Sequence, residues 1–200
     1  MDDRIVIALV VAVVIAAHWW LYKWVRSKID EGMKATSIRP FDQGDEAAVL
    51  RLNDAEVEWT SPMDSERLAD LMAVSAYFRV ACIGDEVVAF LLGMHQKCGY
   101  ENDNIQWFEN KIADFFYVDR VVVDARFAGK GLGRAIYTDA FSLARARGAT
   151  HAVCEYTCEP LNVASKHFHD RMGFSEMGQR KLAHSGKMVS MQCLVLEDFS

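Results

Sequence analysis

At 200 residues and 22.6 kDa the chain has room for one domain with a sizeable core. A formal net charge of −6, with no run rich in Lys and Arg, argues against a general nucleic-acid binder. Five cysteines without framework spacing argue against a disulfide scaffold, and Cys154 and Cys158 lack the second pair that a zinc site needs, so no metal is expected.

The first element is an apolar run from Ile5 to Tyr22, interrupted only by His18. As a helix it spans about 27 Å, close to the ~30 Å of a bilayer core. Trp19, Trp20, Tyr22 and Trp24 gather at its end, where an aromatic belt sits, and Lys23, Arg26 and Lys28 follow. Asp2 and Asp3 precede it, with Arg4 as the one early cation. The positive-inside rule then places the rest of the chain in the cytoplasm, and the acidic leader and long run disfavour a cleaved signal peptide. Residues 1–24 are predicted as a single transmembrane anchor in the cell membrane, 25–35 as a juxtamembrane linker and 36–200 as the functional domain. A start at Met33 would instead give a complete soluble domain in the cytoplasm.

Beyond the linker the signals alternate. Ser37 to Phe41 reads as extended, an acidic-capped helix follows from about Asp45, and two strands meet at Gly84-Asp85-Glu86. The segment from His95 to Asp114 is predicted as a loop, and its length marks it as more than a connection. Asp119 lies on a strand with period-2 alternation that runs into Val121, Val122 and Val123. A glycine loop opens from that strand into an amphipathic helix over 132–147, with Leu132, Ile136, Ala140 and Leu143 on one face. His151 to Tyr156 is a further strand, and Asn162 to Gly173 a helix with a polar start and a glycine end. Met188 to Leu196 is a terminal strand that could pair with a second copy.

A strand, a glycine turn and a helix start leave backbone N–H groups unpaired at the positive end of a helix dipole, which suits a phosphate. The spacing Gly129-x-Gly131-x-Gly133, with Lys130 between glycines and no Ser or Thr after it, fits neither a Walker loop nor a dinucleotide fingerprint. It does fit R-x-x-G-x-G, as Arg126-Phe127-Ala128-Gly129-Lys130-Gly131. This resembles the acetyl-CoA pyrophosphate loop of the GNAT acetyltransferases. Asn162-Val-Ala-Ser165-Lys-His-Phe168-His169-Asp-Arg-Met-Gly173-Phe174 resembles the second hallmark of that family. The likeness covers roughly Thr36 to Leu196.

The resemblance implies an α/β GNAT fold, with a mixed sheet of six or seven strands, helices on both faces, and two central strands splayed around the pantetheine arm. It implies an N-acetyltransferase in which a primary amine attacks the thioester of acetyl-CoA directly. Backbone groups of Val121, Val122 and Val123 would run beside the pantetheine, and amides from Phe127 through Gly133, including Ala128 and Leu132, would hold the pyrophosphate. Arg126 would add charge or pack the loop, Lys130 would lie near the adenosine end, and Asn162 and Ser165 would open the second helix on the cofactor side.

Many family members carry a tyrosine as general acid where this chain has His169, so that role would pass to the imidazole, with Tyr156 and Tyr137 as alternative phenols. The base would be Glu155 or Asp119, and either carboxylate could instead bind the amine. Glu56 and Trp59 from the connection after the first helix, with Tyr100 and Trp107 from the 95–114 loop, would bind a small-molecule or peptide amine. An acyl-CoA-binding sensor at the membrane without turnover, or a membrane-tethered scaffold, are the competing readings.

Overall fold

Seven strands form the sheet: β1 (Thr36–Pro40), β2 (Tyr77–Ile83), β3 (Glu86–His95), β4 (Phe115–Val123), β5 (His151–Glu159), β6 (Ser175–Lys181) and β7 (Met188–Val195). Their order is β1-β2-β3-β4-β5-β7-β6, in a computed structural model that describes residues 15–24, 36–183, 185–197 and 199. Every neighbouring pair is antiparallel except β4 and β5. Helices α1 (Glu46–Ala55), α2 (Ser65–Val74), α3 (Asp103–Glu109), α4 (Leu132–Ala146) and α5 (Val163–Met172) lie between strands.

Burial on both faces explains the composition of the centre. From Val87 to Met94 β3 is an unbroken buried run, as a strand covered above and below must be. On one face Phe90, Leu92 and Tyr117 pack with Val49 and Leu52 of α1, Leu68 and Leu71 of α2, and Phe108 of α3. On the other, Ala89, Leu91 and Phe116 pack with Ile136, Tyr137, Ala140 and Phe141 of α4 and Met172 of α5.

The parallel pair is the exception that makes the site. β4 and β5 are in register only at Phe115–His151, Phe116–Ala152 and Tyr117–Val153. Beyond that rung the strands part, and 118–123 stands apart from 154–159 in a V that opens toward both C-terminal ends. β4 keeps its pairing to β3 up to Val123, and β5 keeps its pairing to β7 up to Glu159. The facing edges inside the V are therefore the ones left without a ladder partner.

Three expectations need correction, and a fourth falls largely outside the described residues. The 95–114 segment is not all loop: it folds into α3, capped by Asn102, whose side chain accepts from Asn104 N. The strand expected over 151–156 continues to Glu159. The terminal strand is interior: β7 is hydrogen-bonded to β5 on one side and β6 on the other, so neither of its edges is open to a second copy. Residues 15–24 form a helical stretch with Trp19, Trp20, Leu21, Tyr22 and Trp24 exposed. The rest of the anchor expected over 1–24, and the linker over 25–35, fall outside the described residues, among which no helix is long and apolar enough to cross a membrane.

Candidate active site

β4 runs straight into the glycine loop. Asp124 caps a single turn over Ala125–Phe127, its carboxylate accepting from Arg126 N at 2.9 Å. The guanidinium of Arg126 folds back onto the Asp124 carboxylate at 2.7 Å and onto Glu86 at 2.5 Å. That pairing holds the Asp124 carboxyl down to about 2. Arg126 thus braces the loop. Lys130 is exposed, its Nζ 4.8 Å from the centre of the half-buried Phe127 ring.

Gly131 is the N-cap of α4 with φ 82, a conformation that costs a Cβ-bearing residue about 1–2 kcal/mol, and no side chain caps the helix. The first in-helix bond is Ala135 N to Gly131 O at 3.0 Å, so the amides of Leu132 and Gly133 lead the helix without a side-chain acceptor. Space around Gly129 and Gly131 is open: a Cβ on either would meet nothing within 4 Å. Gly133 has a different task. A Cβ there would stand 3.0 Å from Cε2 of Phe168, so its hydrogen lets α4 and α5 approach. Of the three valines, Val122 is buried on the face of α1, α2 and α3, while Val121 and Val123 are half-buried on the face of α4. An uncapped helix start at the end of an open strand edge fits a ligand with a diphosphate and an extended arm.

Across the V stands Glu155. Its Oε1 accepts from Asn104 Nδ2 at 2.7 Å and from the Tyr117 hydroxyl at 2.9 Å. Its Oε2 is sealed from solvent without a hydrogen-bond partner, although the residue as a whole is only half-buried. Burial, with Asp119 nearby, pushes the carboxyl up to about 7 against the opposing pull of Tyr117, Asn104 and Arg180. Such a carboxyl exchanges protons at physiological pH. Arg180 of β6 donates to Asn104 Oδ1 at 3.1 Å and pairs with Asp103 at 3.2 Å, tying α3 to the far side of the sheet.

Asp119 lies deep on the same face, its carboxyl raised by burial and drawn the other way chiefly by Arg120, whose Nε is 3.3 Å from Oδ2. Arg120 is itself a clamp. Its NH1 donates at 2.7 Å both to Asn53 Oδ1 and to Ser61 O, and Asn53 Nδ2 donates to Ser61 O at 3.0 Å. The connection between α1 and α2 is thereby fastened to β4.

His169 departs from expectation. The imidazole is buried between Tyr137, Phe174 and Tyr156, with Nδ1 2.8 Å from Ser165 O and Nε2 3.2 Å from the Tyr137 hydroxyl. A carbonyl only accepts, which places the ring proton on Nδ1 and makes Nε2 the acceptor from Tyr137. Burial lowers its pKa to about 4, so the ring is neutral and has no free proton to offer the cleft. Tyr156 stacks on it with 5.7 Å between centroids and an interplanar angle of 17°, and its phenol is half-buried. Asn162 and Ser165 serve this element locally: Asn162 Oδ1 accepts from Ser165 N at 3.0 Å, and Gly173 ends the helix at φ 91.

The expected amine-binding residues divide. Tyr100 faces the cleft, its hydroxyl accepting from Arg67 NH2 at 2.9 Å and from Asn102 Nδ2 at 3.3 Å. Glu56 is half-buried, its carboxyl raised by burial and by Glu58. Trp59 meets Lys187 Nζ at 5.7 Å from its ring centre, joining the α1–α2 connection to the β6–β7 connection. Trp107 turns away and packs against Phe108 and Gly178, with 5.1 Å between its ring centre and that of Phe108. Sequence reasoning missed Tyr117, Asn53, Arg67, Arg120 and Arg180, and gave Asn104 no role. Arg120 alone left a trace, as an arginine inside an apolar strand. Among the described residues no three of His, Cys, Asp and Glu gather as a metal site.

A family model for the Acetyltransferase (GNAT) family matches residues 45–174. The chain belongs to that family. The fold is similar to the ribosomal-protein-S18-alanine N-acetyltransferase from Escherichia coli, at 15% identity over 80% of this chain and 94% of that one, with a TM-score of 0.60. Ard1 from Thermoplasma volcanium is similar at 19% identity over 80% and 97%, with a TM-score of 0.63. The protein yncA from Salmonella typhimurium, solved with its cofactor acetyl-CoA, is similar at 19% identity over 83% and 96%, with a TM-score of 0.61. No curated protein matches the chain.

Proposed function

We propose that the protein is an acetyl-CoA-dependent N-acetyltransferase acting on a primary amine, with Glu155 as its base. The observation that carries this reading is the enclosed Glu155 carboxyl, titrating near 7 and holding one oxygen without a partner at the open end of the split sheet.

The residues fit acetyl-CoA. Leu132 and Gly133 amides at the dipole of α4 suit its pyrophosphate, and the unpaired edge beyond Tyr117 suits its pantetheine amides. When bound, it supplies an activated acyl carbon on sulfur. Glu155 Oε2 takes the proton of the acceptor ammonium, freeing the lone pair that forms the new carbon–nitrogen bond as the carbon–sulfur bond breaks. With His169 locked in the core, Tyr156 gives the departing thiolate its proton and is restored by the second proton, which the nitrogen sheds as the amide forms. Asp119 shapes the electrostatics of Glu155 and holds Arg120; it does not compete with Glu155 for the role of base.

The N-terminal segment is proposed as a membrane anchor, because the exposed aromatics of 15–24 continue the apolar run that begins at Ile5. Full-length protein should remain in the membrane pellet through alkaline carbonate extraction, and release into the supernatant would overturn that part.

Full-length protein in detergent, supplied with acetyl-CoA and a panel of primary amines, should release CoA in step with acetylated product. Tyr156→Phe should lower kcat at least tenfold with the acetyl-CoA Kd unchanged. An enzyme that binds acetyl-CoA and acetylates none of the panel would sink the reading.

A further inference from the structure

Among the described residues, two groups near Tyr100 and Tyr117 are left incompletely matched. One is Glu155, through Oε2. The other is Arg67, half-buried in the first turn of α2. The remaining arginines that are not exposed are matched: Arg39 by Asp45 at 2.6 Å, Arg79 by Asp139 at 3.1 Å, Arg120 by Asp119 at 3.3 Å and Arg180 by Asp103 at 3.2 Å. Arg67 has no carboxylate within 4.0 Å among the described residues.

Its placement is nevertheless fixed. One guanidinium nitrogen donates to the Tyr100 hydroxyl at 2.9 Å, and the guanidinium carbon lies 5.4 Å from the Tyr100 ring centre. That hydroxyl also accepts from Asn102 and has Asp119 beside it, and Asp119 in turn neighbours Glu155. A fork of donors is thus held still at one end of a short polar wall, with the base at the other. Asp119 attracts this guanidinium from across the Tyr100 hydroxyl without forming an ion pair with it, and a bidentate carboxylate is the partner the fork's geometry suits best.

We propose that Arg67 binds a carboxylate of the acceptor, so that the substrate is a primary amine carrying a carboxylate a few bonds from its nitrogen. The inference rests on the acetyltransferase reading and narrows it. Two sources share this chemistry: a free amino acid, and a peptide whose first residue is acidic.

The test uses full-length protein and matched acceptors: alanine against alaninamide, and Asp-Ala-Ala-amide against Asn-Ala-Ala-amide. In at least one pair the carboxylate member should have a kcat/KM at least tenfold higher, and the pair that shows it identifies the source. Arg67→Met should bring that ratio to within twofold, and Arg67→Lys should keep part of it. Equal use of both members in both pairs by the wild type, or an unchanged ratio in Arg67→Met, overturns the proposal. Calorimetric binding of the N-acetylated products in the presence of CoA reads the same preference without turnover. A carboxylate preference lost in Arg67→Met, in a protein that turns nothing over, keeps the site and removes the acetyl-transfer reading. Turnover without any such preference does the reverse.

Discussion

Tyr117 occupies the last paired rung between β4 and β5, and its hydroxyl donates to Glu155 at 2.9 Å, two residues beyond that rung. The strand that β5 has just left is the one that holds its carboxylate. The base is therefore fixed where the sheet divides and on the side opposite the glycine loop's helix.

Removing that carboxylate should expose its role in the pH profile. With Glu155 titrating near 7 and needed in its deprotonated form, wild-type kcat/KM should rise as pH is raised through 7. Glu155→Gln should lower kcat/KM by about 10²–10⁴-fold and abolish that limb. A mutant that keeps the limb would assign it to another group.

Asn104 donates to the carboxylate and so favours its charged form. Asn104→Ala should raise the Glu155 pKa and displace the limb to higher pH by about one unit, the scale of a hydrogen bond to a charged group. Arg180→Met should move it the same way and less, because its attraction acts from behind Asn104. Stopped pH-jump assays on both variants measure the displacement, and a limb that stays in place would show that Asn104 does not set the base.

His169 makes an acid-lability prediction. Its folded pKa of about 4 lies below the 6.5 of a solvated imidazole. Between those values the unfolded chain binds a proton that the folded chain refuses, so stability declines as pH is lowered from about 6.5 toward 4. The difference approaches roughly 3 kcal/mol at its fullest. Glu155, whose folded pKa is raised, acts with the opposite sign over about 4.5 to 7, so the test is a difference. Urea unfolding of His169→Gln between pH 4 and 7 should show a flatter dependence than wild type, whatever its stability at pH 7.

The glycine loop separates two kinds of effect. Gly131→Ala meets no neighbour but is strained at φ 82, and should weaken acetyl-CoA binding more than it lowers Tm. Gly133→Ala presses a methyl group against Phe168 at the α4–α5 contact, and should cost about 1–3 kcal/mol of stability. Calorimetric Kd and thermal unfolding on the two variants distinguish loop geometry from helix packing.

What was legible in the chain was local. The glycine loop, the Asn162 cap, the Gly173 stop and the turn at Gly84 are written within a few residues of one another, so short-range chemistry sufficed. Glu155 was legible as a carboxylate on the right strand, but its partners come from far away: Tyr117 is 38 residues distant in sequence and Asn104 51. α3 escaped notice because seven mixed residues give no clear period. The fate of His169 depended on which rings surround it, and Tyr137, Tyr156 and Phe174 are brought there only by the packing of two helices on β5. Arg67 and Arg120 belong to elements whose juxtaposition no single window contains.

The link between α3 and β6 has a mechanical consequence. With only three rungs joining β4 to β5, strands β1 to β4 and strands β5 to β7 are two plates with a narrow common hinge. Arg180 on Asn104 and Asp103, and Trp107 on Gly178, cross the gap like a strap over an open book. An insertion tolerated elsewhere in the chain would slacken this strap if placed between Gln96 and Asn102, leaving the hydrophobic layers on the two faces and the Tyr117–Glu155 hydrogen bond to hold the angle.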